Sequence, residues 1–386
     1  MTVLIARVRN DFPVFLFAAI ATVSFINFSI KIFRDFQSGG NPWKQGDWLI
    51  NSENGPIRRS FSGDFMIWLS DLFDLHVVTP VVISQILIAF VLYIATYRLV
   101  VDDKSRVLAL LAFSASFFMF FWVGDPYGAG RKELIAFAAM VLIAIALNYR
   151  NQTLAFLGFF LFPVSVLCHE AMILFLPAVA GVYAFYFNKI KSSKLFHICF
   201  FLSVSTSLIA FYIALKSSEV SDYTLVCQPL TARGAHPDLC SGAIKWLEHD
   251  VNHAMEQVRN MFRYRAPYDF VVGYLVALAP ALFVAVVSNN KALSFALIVF
   301  SGLPFLPLYA FAVDYGRWIS FHSFSVFLLF SSAIASGKLV FEKPIKDRVY
   351  ITAFTLGAVI CHLHVSHIYL GGSVRRLATD AIGFLE

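Results

Sequence analysis

The residues best suited to chemistry in this chain are a carboxylate and a pair of guanidinium groups in one polar stretch. Gly46-Asp47-Trp48-Leu49-Ile50-Asn51 is followed by Gly55-Pro56-Ile57-Arg58-Arg59. An aspartate can accept a proton or hold a cation. Two adjacent arginines can grip a phosphate through forked, charge-assisted hydrogen bonds. Gly55-Pro56 predicts a turn that swings the pair back towards the membrane, and Trp48 suits a membrane interface. Asn51 is a supporting polar group in the same stretch.

Three further signatures carry the same kinds of group. Asp125-Pro126-Tyr127-Gly128-Ala129-Gly130-Arg131-Lys132-Glu133 runs into an apolar segment. Cations at a helix N-terminus oppose the helix dipole, so Arg131 and Lys132 there read as an anion site approached through two glycines. Asp125 and Glu133 are supporting groups, and a local charge cap by Glu133 is the plainer reading. His169-Glu170 interrupts two apolar segments; ionisable groups at membrane depth are costly and point to function. His169 can relay a proton with Glu170 as its partner, or the two can simply bond to each other at a helix turn. In Asp314-Tyr315-Gly316-Arg317-Trp318 the acid and the base are three apart, a spacing that permits pairing along one helical turn. Alternatively Arg317 faces the pocket of the arginine pair.

The frame that must position these groups is apolar. Of the 386 residues, 59% are hydrophobic and 14% charged, with mean hydropathy +0.72; soluble domains carry about 25% charge. Apolar spans fall near 13–33, 78–99, 107–124, 133–149, 153–167, 171–187, 195–215, 270–288, 292–312, 318–336 and 349–370. They predict an all-α polytopic membrane protein of about eleven helices in a single membrane domain, 1–386. The 153–187 region, with Pro163 and the His169-Glu170 interruption, predicts two short helices meeting at a turn. No cleavable signal peptide, lipidation motif or internal repeat is expected.

Basic residues (Arg98, Lys104, Arg106, Arg150, Lys189, Lys191, Lys194, Lys291, Lys338) follow every second span, which predicts a cytoplasmic N-terminus. The net charge of +6 then reflects topology rather than nucleic-acid binding. The opposite face holds loops 34–77 and 216–269, 125–132, the turn at His169 and 313–317. Arg58, Arg59, Arg131, Lys132 and Arg317 are all on that face, against the topological preference, and binding an anion is the simplest reason. Residues 60–74 predict an amphipathic interfacial helix, with Phe61, Phe65, Trp68, Leu69, Leu72 and Phe73 on one side and Asp64, Ser70, Asp71 and Asp74 on the other. Cys227 and Cys240 share loop 216–269 and can pair if it lies in an oxidising compartment; Cys168, Cys199 and Cys361 read as packing residues. The spacing of His362, His364 and His367 does not predict a metal site, and no P-loop, GxSxG or zinc spacing is present. With no soluble domain for a nucleotide sugar, a donor has to arrive within the membrane as a lipid-linked substrate.

DWLIN…GPIRR before an amphipathic helix, GRKE opening a helix, the HE turn and DYGRW together resemble polytopic polysaccharide polymerases of the EpsG/Wzy type. These are similar in turn to GT-C-like membrane glycosyltransferases. The likeness covers nearly the whole chain in layout and rests on short, scattered motifs. It implies a bacterial inner-membrane enzyme that transfers a glycan from polyprenyl diphosphate to a lipid-linked acceptor on the periplasmic face. It further implies Asp47 at the reacting centre, His169 and Glu170 beside it, and Arg58, Arg59, Arg131, Lys132 and Arg317 on the diphosphate. A chain-length regulator is the implied protein partner; no cofactor is implied, and a divalent cation is left open. A transferase using a polyprenyl monophosphate sugar and a lipid-linked glycan flippase are the competing expectations.

Overall fold

The computed structural model describes residues 2–125, 128–217, 220, 222–262, 266–341, 345–355, 364–365 and 368–369. The architecture is an α-helical bundle. Helix α1 (Thr2–Gln37) leads into a one-turn helix α2 (Gln45–Trp48), α3 (Phe61–Phe73) and α4 (Val78–Asp102). Two half-length helices follow, α5 (Val107–Ala112) and α6 (Phe118–Gly124), then α7 (Glu133–Tyr149) and α8 (Gln152–Cys168). A 3-10 turn (Glu170–Phe175) joins α8 to α9 (Leu176–Ile190), and α10 (Lys194–Lys216) completes this half. The long loop folds as α11 (Thr224–Ala232), two 3-10 turns (Pro237–Ser241 and Lys245–Glu248) and α12 (Val251–Phe262). The remainder is α13 (Ala266–Val287), α14 (Lys291–Gly302), α15 (Leu308–Phe311), α16 (Tyr315–Ala335), α17 (Asp347–Thr355) and a two-stranded hairpin, β1 (His364–Val365) with β2 (Ile368–Tyr369).

Among the described residues, six helical segments are long and apolar enough to cross a membrane: Phe12–Gln37, Val78–Asp102, Glu170–Ile190, Lys194–Lys216, Lys291–Phe311 and Tyr315–Ala335. Glu133–Tyr149, Gln152–Cys168 and Val271–Val287 are apolar but shorter. This is the pattern of a multi-pass membrane protein, with two corrections to the span list. The 107–124 segment is not one helix. Its chain breaks at 113–117, where Ser114 Oγ donates to the Ala277 carbonyl at 2.6 Å and Ser116 and Ser323 share a hydroxyl contact. The break thus carries polar contacts to the Ala277 carbonyl on α13 and the Ser323 hydroxyl on α16, which hydropathy does not register. The 349–370 span is not a continuous helix either: α17 covers its start, and 364–365 with 368–369 pair as strands. Cys361, His362 and His367 lie outside the described residues.

Helices α7 and α16 form the centre. From Glu133 to Leu147, and from Tyr315 to Ala333, every residue is buried. Their small and aromatic side chains interdigitate, with Phe137 stacked on Phe324 at 4.1 Å between centroids and Phe117, Phe118, Phe175 and Phe321 packed around them. The outer helices α4, α10 and α13 keep large apolar residues exposed (Leu87, Phe90, Phe201, Leu202, Leu275), as a lipid-facing surface requires.

Helix α3 sits with its aromatic face outward. Phe61, Phe65, Trp68 and Leu72 are exposed, while Ser62, Gly63, Met66, Ile67 and Ser70 face the protein. Ser70 is therefore buried and not on an outward polar side. Gly63 has to be glycine, because a Cβ there would collide with the Ile50 carbonyl. The acid side is structural: Asp64 accepts from the Ser52 amide and hydroxyl, both at 2.7 Å.

The long loop is a cap on the first loop. Arg233 reaches Asp71 with two hydrogen bonds (2.7 and 2.8 Å) and Glu53 with two more (2.9 and 3.0 Å). Asn51 donates to Val226 O at 2.9 Å, Asn54 to Leu225 O at 2.7 Å, and the Ala243 amide to Pro42 O at 3.0 Å. Cys227 and Cys240 are disulfide-bonded, joining α11, which grips Asn51 and Asn54, to the turn whose Leu239 carbonyl packs on Gly46. Cys168 and Cys199 are free and buried. Closing a loop of this size stabilises by about 2–4 kcal/mol. Replacing both Cys227 and Cys240 by serine should lower stability to denaturant by that amount and abolish the effect of reductant; a loss under about 0.5 kcal/mol would contradict the cap's role.

Candidate functional site

The four charged signatures, far apart in sequence, meet at one end of α7 and α16. Asp47 lies on α2, a single turn held from both sides. The Gly46 amide donates to Asn41 O at 3.0 Å, and the Trp48 indole donates to Gly130 O at 2.9 Å. Trp48 is thus buried rather than interfacial (1% exposed). Gly130, at φ +76°, takes a left-handed turn suited to glycine and presents its carbonyl to α2 just before Arg131 and Lys132.

Arg59 is the hinge of the cluster. Its backbone is left-handed (φ +68°), a conformation costly for a residue with a Cβ and typical of over-determined sites. That turn sends its side chain and its carbonyl to two different partners. The guanidinium donates to Glu170 from Nε at 2.7 and 3.0 Å and from Nη2 at 2.5 Å, while the carbonyl accepts from Lys132 Nζ at 2.8 Å. Arg58 approaches the same Glu170 carboxylate at 3.8 Å. Lys132 is fully buried, with Asp47 Oδ1 3.9 Å from its Nζ.

On the α16 side, Arg317 donates to both Glu133 oxygens at 3.1 and 3.2 Å and to Asp314 at 2.5 Å. Arg131 approaches Asp314 at 3.7 Å and lies over the Trp43 ring at 5.5 Å. Arg317 thus pairs with Asp314 three residues back and also with Glu133, its partner on another helix, α7. Asp125 is buried where the chain enters this turn, its carboxylate against Gly128.

Protonation separates the roles. His169 Nδ1 accepts from the Ala171 amide at 3.3 Å, which leaves the proton on Nε2. Burial, and then the charge of Arg59, pushes its pKa down to about 3; the ring is neutral, and its 3.8 Å approach to Glu170 is not an ion pair. Burial raises the Asp47 pKa, but Lys132, and then Arg131 and Arg59, outweigh it and hold the carboxyl below its ordinary value. Asp47 is therefore an anion at neutral pH. Glu133 and Glu170 spend both oxygens on arginines, whereas Asp47 Oδ2 is buried with no hydrogen-bond donor from the protein. A buried acceptor in this state is a costly feature that calls for an explanation.

Two residues that the motifs did not flag complete the geometry, Gln45 and Gln85, both fully buried. Gln85 is a lone amide within an apolar span, and that is the signal that marks it. Among the described residues no group of three or more His, Cys, Asp or Glu is arranged to hold a metal ion. Comparison with family models, curated proteins and solved structures finds no match for this chain.

Proposed function

We propose that this cluster is the active site of a membrane-integral glycosyltransferase that joins lipid-linked glycan units. The donor is a glycan on polyprenyl diphosphate and the acceptor a sugar hydroxyl, as in exopolysaccharide, capsule or O-antigen synthesis. The site then faces the periplasm of a bacterial inner membrane and the N-terminus lies in the cytoplasm. The observation that carries this reading is the meeting of Arg59, Arg131, Lys132 and Arg317 around Asp47, with Arg58 beside Arg59 on Glu170, from segments up to 270 residues apart.

The chemistry follows from the charges. Carboxylate and phosphate fit the same guanidinium fork, so a diphosphate can exchange with Glu170 at Arg58 and Arg59. Cations fixed beside the bridging oxygen stabilise the charge that develops as diphosphate leaves. Ionised Asp47 faces the sugar carbon as that carbon becomes electron-poor, or takes the acceptor proton. Neutral His169 has its Nε2–H to donate. The outward aromatic face of α3 begins two residues after Arg59 and offers a polyprenyl tail an apolar path at the rim.

Transfer of one sugar from a polyprenyl monophosphate is the second reading; the number of cations favours a diphosphate leaving group. A flippase requires charges along a transmembrane path. Among the described residues, the buried titratable side chains outside this end of the bundle include Asp103, bonded to Ser105 and the Leu108 amide, and His322, bonded to Tyr274 and Ile298 O. Each is held by its own neighbours. Purified protein incubated with lipid-linked repeat units should yield a ladder of products. A single added sugar would support the monophosphate enzyme, and intact lipid crossing the bilayer with no new bond would overturn both.

A further inference from the structure

We propose that Gln85 is the positioning residue of the charged cluster: its amide links Gln45 to the Gly130 carbonyl and so sets Asp47 and Lys132 opposite each other. Gln85 Nε2 donates to Gly130 O at 2.6 Å, and its Oε1 accepts from Gln45 Nε2 at 2.8 Å. Gln45 Oε1 in turn accepts from the Asn41 amide at 2.9 Å. The Trp48 indole binds the same Gly130 carbonyl at 2.9 Å, so both lone pairs of that oxygen are used. Gln45 and Trp48 flank Asp47 by two residues and one; Gly130 precedes Lys132 by two. The network therefore grips the two charged residues by their own short segments.

Gluing helices together does not account for this geometry. Neither contact of the Gln85 side chain reaches another membrane span; both go to the loops that carry the charges. The receiving peptide has little freedom. Gly130 is left-handed, and a Cβ there would lie 2.9 Å from Ile32 Cδ1 and 3.4 Å from Gln85 Nε2. The result is a gap held open. Lys132 Nζ and Asp47 Oδ1 stay 3.9 Å apart, beyond hydrogen-bond length, because Lys132 is drawn to Arg59 O at 2.8 Å while α2 is fixed from the other side. An aspartate in direct contact with Lys132 would have its lone pairs occupied. At this distance it is charged and available.

If Gln85 is lost, Lys132 stays with Arg59, and α2 keeps the Trp48 indole but loses the Gln45 tie to the Gly130 turn, so it can draw away from Lys132. Asp47 then remains buried but loses its nearest cation, and its protonation rises. The groups facing Asp47 are Lys132 and Arg131 from the turn before α7, Arg59 from the first loop, Cys168 and His169 from the end of α8 and Arg317 from α16; Gln85→Met changes none of them. The readout is dicyclohexylcarbodiimide, which reacts with protonated carboxyls in apolar surroundings. Labelling of Asp47 in the full-length protein is mapped by mass spectrometry against pH.

In the native protein labelling should begin only below the ordinary carboxylate range. In Gln85→Met the midpoint should rise by at least one pH unit, about tenfold more label at a fixed pH above it. Ser294→Ala, which removes a buried hydroxyl bonded to Ser288, should lower thermal stability without moving the midpoint. Should Gln85→Met fail to fold, Trp48→Phe, which deletes the other donor to Gly130 O, takes its place. An unmoved midpoint in the folded variant overturns the proposal. The proposal rests on the cluster being the reacting site, yet the test uses no substrate. A glycan assay without product would overturn the function and leave the labelling result standing.

Discussion

Asp47→Asn should abolish glycan transfer, lowering turnover by about 10²–10⁴-fold, while the protein still inserts and folds. The substitution keeps the shape and removes the charge. Four facts make the loss fall on turnover rather than assembly. Oδ2 has no donor from the protein to lose, and Oδ1 is 3.9 Å from Lys132. Lys132 keeps its bond to Arg59 O, and burial already lowers its pKa, so it can shed its proton when its counter-charge is gone. Substrate affinity, which rests on the arginines, should change little. The pH dependence has a definite sign. Because the Asp47 pKa is depressed, activity should hold through the ordinary carboxylate range and fall only at lower pH. An asparagine variant with undiminished turnover would sink the assignment and leave His169, through Nε2, as the group to examine.

Arg317→Met should cost about 3–5 kcal/mol of stability, because it leaves the Glu133 carboxylate buried without its partner. Glu133 and Arg317 are 1% and 4% exposed, so water cannot replace the lost contacts. The pair closes α7 onto α16 at their first turns, where the rest of both helices is packed. Adding Glu133→Leu to Arg317→Met should recover most of the loss, since an apolar pair of similar volume removes the stranded charge. Thermal or denaturant unfolding of the two variants decides this. A single variant within about 1 kcal/mol of the native protein would mean that the ion pair is not holding the helices. In the double variant, restored stability without transfer would separate the part of Arg317 in substrate binding from its part in the fold.

Several features were legible in the residues because they follow from local cost. Apolar runs have to leave water, so most spans were found. Ionisable groups beside such runs are expensive, so Asp47, Arg58-Arg59, Arg131-Lys132-Glu133, His169-Glu170 and Asp314/Arg317 stood out. The break at 113–117 did not, because Ser114 and Ser116 are small enough to look like helix interior, and their partners Ala277 and Ser323 are distant in sequence. The side of α3 that packs on the protein is not legible for a related reason. Its spacing showed two sides, but only the close fit of Gly63 on Ile50 shows which side meets the protein.

What the sequence by itself determined is the inventory: an apolar helical chain, its charges grouped in short signatures, and a disulfide-capable pair in one loop. Those are consequences of transfer cost and turn chemistry, which act over a few residues. Who pairs with whom was decided only by the tertiary structure. Glu133 serves Arg317 across 184 positions, Arg59 serves Glu170 across 111, and Gln85 serves Gly130 across 45. Buried charges and amides seek partners at about 3 Å, and in a packed bundle the groups at that distance are set by which helix ends meet. That same meeting leaves Asp47 with one oxygen unclaimed, and no reading of its neighbours in the chain could have shown it.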